Sequence, residues 1–262
     1  MILKNKKGVI MGVANQFSIA TGIAKAAAEQ GAEIVYSHLP DTTGKMLKRV
    51  SRAVADLSPK GIYPCDVTSD ESIQSFFKQA AGDLGDIDFV VHSIAFGDTK
   101  DIKCPTVECS RAGFAQAMDI SCYSYIAVCN EAKQYMSNGG STISLSYYGG
   151  EKVVPGYNMM GICKSALEMT TRYLSHDLGP KKIRANCISA GPIKSLSASA
   201  ISDFSKMIDQ YESNAPLRRG VTQDDVGQVA SFLLSDLSSS ITGETLHVDA
   251  GYHVMGYFDP EA

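Results

Sequence analysis

The sequence lacks any Cys-x-x-Cys pair, and its seven cysteines form an odd number. An odd set of scattered thiols does not suggest a disulfide framework, and without paired spacing it does not suggest a tetrahedral zinc site. We therefore expect a reducing compartment and no metal site. The cysteines are Cys65, Cys104, Cys109, Cys122, Cys129, Cys163 and Cys187.

Long apolar runs are missing as well. No run approaches the roughly 20 residues that a helix needs to span a bilayer. Residues 1–7 lead directly into a strand-like segment without the hydrophobic stretch of a signal peptide. We expect a cytoplasmic protein that does not partner a membrane.

Neither sign of charge dominates the chain. Lys and Arg total 24 and Asp and Glu total 28, for a formal net charge of −4. This balance offers no general attraction to nucleic acid or to anionic lipid. The 44% of hydrophobic and 20% of charged residues are ordinary for a soluble globular enzyme. With 262 residues and no linker or repeat, residues 1–262 are predicted to form a single domain.

Apolar runs of strand length alternate with amphipathic stretches of helix length. This alternation predicts an α/β fold: a single-domain, Rossmann-type, doubly wound parallel sheet flanked by helices, with a helical substrate lid near 195–212. Ligands of such sheets bind beyond the carboxyl ends of the strands. The predicted strands are 8–12, 33–37, 62–66, 87–92, 142–146, 183–188 and 245–248. The predicted helices are 18–30, 41–57, 70–81 (capped by Ser69 or Asp70), 111–136, 157–178, 201–212 and 223–235.

The first predicted strand runs into a turn that contains Gly12, Ser18 and Gly22. A dinucleotide turn needs a small residue where backbone approaches a pyrophosphate and another where the helix packs on a strand; Gly12 and Gly22 suit these needs. Ser18 lies at the helix start, where a hydroxyl and free N–H groups bind anions. The middle glycine of G-x-G-x-x-G is absent, so a glycine turn with a serine cap explains the pattern equally well.

Other strand ends carry residues that suit a dinucleotide. Asp66 follows the third strand, where its carboxylate would accept a hydrogen bond from an adenine amine. Small residues at 93–97 and 190–195 would wrap a ribose or a nicotinamide, and the Ser- and Ala-rich 195–202 would form a mobile lid. Each has a plain alternative as a helix cap or a tight turn. Together they favour a dinucleotide cleft.

Tyr157 and Lys164 are seven residues apart at the start of a predicted helix. On a helix they share one face and lie about 10 Å apart, which leaves room for a ribose between them. Lys164 would hydrogen-bond the ribose and favour ionisation of the phenol, and Tyr157 would donate to an oxygen that gains charge. The plain alternative is a packing ring beside a solvated ammonium. The pair follows the fifth strand, with Tyr147 at that strand's end, and this position favours a catalytic role for Tyr157 and Lys164.

These residues resemble the short-chain dehydrogenase/reductase superfamily, and within it the enoyl-[acyl-carrier-protein] reductase (NADH) family of bacterial fatty-acid synthesis. The resemblance extends over residues 8–253. Six residues separate Tyr157 from Lys164, whereas most short-chain reductases have three, and Tyr147 lies near the position of their catalytic serine. The segments that carry the resemblance are 12–14, 18–20, 92–94, 157–164, 189–193, 225–227 and 243–249.

The resemblance implies reduction of a trans-2-enoyl thioester, with hydride transfer to the β-carbon and an enolate at the thioester oxygen. It implies that Tyr157 and Tyr147 are the proton-donor candidates and that Lys164 binds the nicotinamide ribose. It also implies that the Gly97 backbone contacts the substrate carbonyl. It implies acyl carrier protein as the partner and a homotetramer; 246–255 and the face of 157–178 suit an interface or the core equally well. The implied cofactor-binding residues are Gly12, Ser18, Ile19, Asp66, Val67, Ile94, Lys164, Ile193, Lys194, Ser195, Leu196 and Ser197.

Cofactor choice is predicted from the end of the second strand. Leu39 lies where the family usually has Gln, and no Arg or Lys follows the strand directly, so NADH is expected rather than NADPH. The nearby Lys45, Lys48 and Arg49 argue the other way. The basic residues proposed for carrier docking are Lys194, Lys206, Arg218 and Arg219, although Ser202 and Ser205 thin the family's basic patch.

Two alternatives stay open. One keeps the fold and changes the chemistry to that of a ketoacyl or carbonyl reductase, against which the Tyr–Lys spacing argues. The other is a non-catalytic dinucleotide sensor, against which the retention of Tyr147, Tyr157 and Lys164 argues.

Overall fold

Seven parallel strands form one sheet in the computed structural model, which describes residues 1–193 and 204–256, without the side chains of 204–207. The order across the sheet is β3-β2-β1-β4-β5-β6-β7. The strands are β1 Lys7–Met11, β2 Glu33–His38, β3 Gly61–Pro64, β4 Phe89–His92, β5 Gly140–Ser146, β6 Ile183–Ala190 and β7 Thr245–Val248.

The helices are α1 Ile19–Glu29, α2 Lys45–Ala53, α3 Asp70–Leu84, α4 Thr99–Lys103, α5 Arg111–Met118, α6 Ser124–Ala132, α7 Met159–Leu178, α8 Phe204–Asn214 and α9 Gln223–Leu234. A π-helical segment, Asp119–Tyr123, joins α5 to α6. Because β1 lies between β2 and β4, the strand order reverses there, and the chain leaves β1 and β4 on opposite sides of a crevice.

The sheet buries both of its faces. Alternate residues of β1 belong to different clusters: Ile10 packs with α1 and α9, whereas Val9 and Met11 pack with α3, α6 and α7. Such two-sided burial is why these strands read as continuous apolar runs. The predicted doubly wound α/β fold is confirmed.

Several predicted boundaries shift. The helix predicted from residue 157 begins at Met159. Asn158 has a φ of +46°, which a right-handed helix does not allow, so the helix cannot start before Met159. The helix predicted over 111–136 contains the π-helical segment, and α4 was not predicted. Of the two cap candidates for α3, Ser69 is the cap, accepting a hydrogen bond from the Ser72 N–H.

The predicted lid near 195–212 is described only in part. Residues 195–203 lie outside the described residues, and α8 begins at Phe204. Within 1–193 and 204–256, no helix is long and apolar enough to cross a bilayer. The thiols of all seven cysteines are free.

Candidate active site

A cleft of about 620 Å³ opens at the carboxyl edge of the sheet, where β1 and β4 diverge. It receives residues from the ends of six strands, β1 to β6. Every predicted site residue that the structure describes lines this cleft: Gly12, Ser18, Ile19, Asp66, Val67, Ile94, Gly97, Tyr147, Tyr157, Lys164 and Ile193. The other four, Lys194, Ser195, Leu196 and Ser197, lie outside the described residues.

Gly12 lets β1 turn tightly past the loop that follows β4. Its φ is +98°, and a Cβ there would overlap the backbone carbonyl of Ser93. Gly22 has a different role from the predicted one. A Cβ at Gly22 would lie 2.5 Å from the Cβ of Gln223, and a Cβ at Gly227 would lie 2.6 Å from the Gly22 carbonyl oxygen. Gly22 therefore allows α1 to pack on α9, and the prediction that it packs on a strand was wrong.

Ser18 holds the turn together instead of capping the helix with its side chain. It occupies the N-cap position of α1, but its Oγ donates to the Asn15 carbonyl at 2.6 Å and accepts from the N–H of Ala14 at 3.1 Å. The N-terminal end of α1, with its positive partial charge, thus faces the cleft beside Gly12. This end of the cleft suits a diphosphate.

The outer part of the cleft lies beyond β2 and β3. Thr68 fixes Asp66 there, because its N–H and hydroxyl both donate to Asp66 Oδ1, at 3.0 and 2.7 Å. Met46 of α2 lines the cleft, whereas the basic Lys45, Lys48 and Arg49 do not.

A carboxylate already occupies the N-terminus of α2. Asp41 accepts from the N–H of Lys45 at 2.9 Å and from that of Met46 at 3.4 Å. Hydrogen bonds, chiefly from the Thr43 hydroxyl, lower the pKa of Asp41, so this group is ionised at neutral pH. A 2′-phosphate placed there would meet negative charge.

Lys164 is not a solvated ammonium. Only 6% of the residue is exposed, and its Nζ donates to the Leu145 carbonyl at the end of β5 at 2.6 Å. Burial lowers the pKa of Lys164, and neighbouring groups that include Glu168 oppose this effect. The fixed amine lines the cleft, which excludes the plain alternative for this residue.

Tyr147 and Tyr157 pack edge to face, with ring centroids 4.9 Å apart and an interplanar angle of 75°. Removal of surrounding water raises the pKa of Tyr147 to about 12 and raises that of Tyr157 further. Both phenols are therefore protonated donors at neutral pH. Tyr157 precedes α7 in a turn, so the predicted separation of two helical turns from Lys164 does not apply; the two side chains reach the cleft from a turn and a helix.

The family model described as Enoyl-(Acyl carrier protein) reductase matches residues 12–253. This chain belongs to the enoyl-[acyl-carrier-protein] reductase family.

Relatives of known name agree with this assignment. "Enoyl-[acyl-carrier-protein] reductase [NADH] 1" of Rhizobium meliloti is 50% identical over 97% of this chain and 93% of the relative. The corresponding [NADPH] protein of a Staphylococcus aureus strain is 45% identical, over 97% and 98%. The reductase of Anaplasma phagocytophilum, crystallised with NAD, superposes with a TM-score of 0.94 at 48% identity, over 100% of this chain and 97% of that one. The predicted family is confirmed.

Sequence reasoning missed two residues that shape this reductase site. Asn158 donates from Nδ2 to the carbonyls of Ile102 and Cys104, both at 2.8 Å, and so holds the Tyr157 turn against α4. The sequence could have indicated a turn at Asn158, since Asn is among the residues that tolerate a positive φ. Ser121, in the π-helical segment, accepts from the Phe96 N–H and donates to the Phe96 carbonyl, both at 3.0 Å, which fixes the loop that ends at Gly97. No local pattern revealed that contact.

Proposed function

We propose that Tyr157, Tyr147 and Lys164 carry out enoyl reduction in this cleft. The enzyme reduces the trans-2 double bond of enoyl thioesters on acyl carrier protein with NADH, the last reductive step of the fatty-acid elongation cycle. The observation that carries the residue roles is the meeting of one buried amine and two protonated phenols at the end of β5. Residues 1–262 act as one catalytic domain, in the cytoplasm.

The cleft fits a dinucleotide by two features. Gly12 lets β1 turn tightly beside the loop after β4 and so brings its backbone to the cleft, and the N-terminus of α1 offers N–H groups to a diphosphate. Asp66 would accept the adenine amine, with Val67 and Ile94 beside the adenosine. The Asp41 carboxylate at the start of α2 supports NADH over NADPH, since it repels a 2′-phosphate.

Bound NADH supplies the hydride for the β-carbon of the substrate. Lys164 holds the nicotinamide ribose, because Leu145 already fixes its amine toward the cleft. Tyr157 donates a hydrogen bond to the thioester oxygen, where negative charge develops, and the Tyr147 ring packs against the Tyr157 ring. Because both phenols are largely buried, water does not compete for the hydrogen bond to that oxygen.

The acyl chain would lie along an apolar wall beside Gly97. A Cβ at Gly97 would lie 2.9 to 3.1 Å from the side chains of Met159, Met160 and Ile102. The Gly97 backbone therefore borders apolar side chains directly, which suits a thioester carbonyl with a hydrocarbon tail.

Two partners belong to this proposal. Acyl carrier protein would dock on the basic residues Lys194, Lys206, Arg218 and Arg219. Arg219 is already paired with Asp225 at 2.8 Å, which leaves Arg218 the stronger described candidate. A homotetramer is supported by an exposed apolar stripe on α7, formed by Ile162, Met169 and Tyr173 at helical spacing.

The test follows NADH absorbance at 340 nm with crotonyl-CoA. Tyr157→Phe should lower kcat by about 10²- to 10³-fold, since it removes a donor to the developing oxyanion, with little change in NADH affinity. Lys164→Ala should instead weaken NADH binding, measured by fluorescence titration. Wild-type turnover of Tyr157→Phe would contradict the phenol's role, and unaltered NADH affinity of Lys164→Ala would contradict the amine's.

The same assay separates the alternative functions. Acetoacetyl-CoA in place of crotonyl-CoA would be the preferred substrate of a ketoacyl reductase. A sensor would bind NADH and consume it with neither thioester.

A further inference from the structure

Two serines on one face of β5 each contact α7. Ser144 Oγ lies 3.1 Å from Thr171 Oγ1, and Ser146 Oγ donates to Glu168 Oε1 at 2.5 Å. Residues two apart on a strand share a face, and residues three or four apart on a helix do so as well. The two contacts therefore join the same face of β5 to the same face of α7, but only Ser146 lies at the end of the strand, directly before Tyr147.

Glu168 is a buried carboxyl group, 5% exposed, four residues after Lys164. Burial raises its pKa, and the Ser146 hydroxyl opposes that effect. A buried carboxyl group is costly, and it is tolerated where it satisfies a partner. The titratable groups that act on it include Lys164 and Arg172 of α7, Glu151 after β5 and His247 of β7.

The Glu168 carboxyl group lies close to the chain on both sides of Tyr147. Before Tyr147 it receives the Ser146 hydroxyl. After Tyr147 the chain makes a 3-10 turn over Tyr148–Gly150, and a Cβ at Gly150 would lie only 2.7 Å from Glu168 Oε1. One turn earlier on the same helix, Lys164 holds the Leu145 carbonyl. Three consecutive residues directly before Tyr147, namely Ser144, Leu145 and Ser146, are thus tied to one face of α7.

We propose that Glu168 is a positioning residue for the reduction: through the Ser146 hydroxyl it fixes the end of β5 and thereby holds the Tyr147 ring against Tyr157. The inference rests on the proposed roles of these two tyrosines. Glu168 does not itself line the cleft, whereas Ser146, Tyr147 and Tyr157 do.

The experiment measures kcat and KM for crotonyl-CoA and NADH in Ser146→Ala, Glu168→Ala and the double variant. Each single variant should lower kcat by about 10- to 100-fold, since a small displacement of a reacting group has effects of that size. The KM for NADH should change by less than about threefold, because Lys164 keeps its contact with Leu145. The double variant should be no worse than the poorer single one, as expected for residues that act as a unit.

Glu168→Gln tests whether the hydrogen bond from Ser146 or the negative charge of the Glu168 carboxylate matters for kcat. Its amide oxygen still accepts from Ser146, so kcat should stay within about threefold of the wild-type value. If Glu168→Ala does not fold, the comparison of Glu168→Gln with Ser146→Ala still tests the proposal. Equal losses in the Gln and Ala variants would overturn the proposed hydrogen-bond role.

Ser144→Ala is the matched control. It removes the same buried hydroxyl from the same strand face and helix, so it should lower Tm about as much as Ser146→Ala while kcat stays within about twofold. The proposal is overturned if Ser146→Ala and Glu168→Ala behave like this control, or if their effects on kcat multiply in the double variant.

Tyr147→Leu tells the two levels of proposal apart, because it removes the ring that packs against Tyr157. If it keeps the wild-type kcat, the proposed role of Tyr147 fails, and the positioning role fails with it. If it lowers kcat while Ser146→Ala and Glu168→Ala do not, the positioning role alone fails.

Discussion

Single residues at the strand ends were predictable as a group, although their individual contacts were not. The carboxyl ends of parallel strands meet at one edge, so Asp66, Ile94 and Tyr147 could be assigned to one cleft from sequence alone. Whether Lys164 was buried could not be predicted, because its amine donates to a carbonyl of another element, the Leu145 carbonyl of β5. The roles of these residues remain predictions.

His92 shows how burial at one residue affects the whole protein's response to pH. Its ring is fully buried, and its Nε2 lies 2.7 Å from Ser124 Oγ; since that hydroxyl donates to the Ile120 carbonyl at 2.6 Å, it accepts from the imidazole. Burial, together with the charge of Lys164, lowers the pKa of His92 to about 3. The folded protein therefore keeps this imidazole neutral.

We expect acid to destabilise the protein through His92. The unfolded chain takes up a proton near the ordinary pKa of 6.5, so between pH 6.5 and 3 it binds more protons than the folded chain. The free energy of unfolding should fall with pH in that window, with a limiting contribution of about 1.4 kcal/mol per pH unit, and His92 should contribute nothing above it. Urea unfolding at pH 7.5, 6 and 5 measures the slope. If His92→Gln has the same slope as the wild type, His92 is not its source.

At the scale of elements, existence was easier to predict than boundaries. The β7 boundaries 245–248 were predicted correctly, since alternating apolar residues and flanking turn residues define a short strand. The π-helical segment Asp119–Tyr123 was not predictable, because its extra residue depends on contacts between Ser121 and Phe96 and between Ser124 and His92. Such contacts leave no periodic signal.

Packing of α1 on α9 gives a test at this scale. Gly227→Ala should overpack the helix pair, since its Cβ would lie 2.6 Å from the Gly22 carbonyl oxygen, and should destabilise the protein by about 1–3 kcal/mol. Because α1 presents its N-terminus to the cleft, the same change should raise the KM for NADH. Thermal denaturation and steady-state kinetics measure the two effects.

Gly82 of α3 is the matched control. It is exposed, and a Cβ there would meet nothing within 4 Å. Gly82→Ala should therefore raise the free energy of unfolding by about 0.5–1 kcal/mol through helix propensity and leave NADH binding unchanged. A Gly227→Ala protein as stable as Gly82→Ala would contradict the packing argument.

At the scale of the whole molecule, the apolar stripe on α7 lies outside the core of the single chain. Tyr173 is 68% exposed, and Ile162 and Met169 share its face. Exposed apolar surface of this kind marks protein contacts. Together with the exposed Tyr123 and Ile126, it supports the proposed homotetramer.

We expect Tyr173→Glu to dissociate the oligomer across this interface, since it buries a charge in an apolar contact. Size-exclusion chromatography with light scattering should give a tetramer mass for the wild type and a smaller mass for the variant. Val153→Glu is the control, because Val153 is apolar and 95% exposed but precedes α7 and does not belong to the stripe. A wild-type monomer at micromolar concentration would contradict the tetramer.

The sequence by itself determined the fold class, the family and the edge of the sheet where the cleft lies. Those follow from short-range patterns: apolar runs that repeat along the chain, and polar or small residues that follow each run. Only the tertiary structure decided that Gly22 meets α9, that Tyr157 lies in a turn before α7, and that Glu168 lies close to the chain on both sides of Tyr147. These depend on atoms brought together from distant parts of the chain, and packing at that range is set by the whole core rather than by any local run of residues.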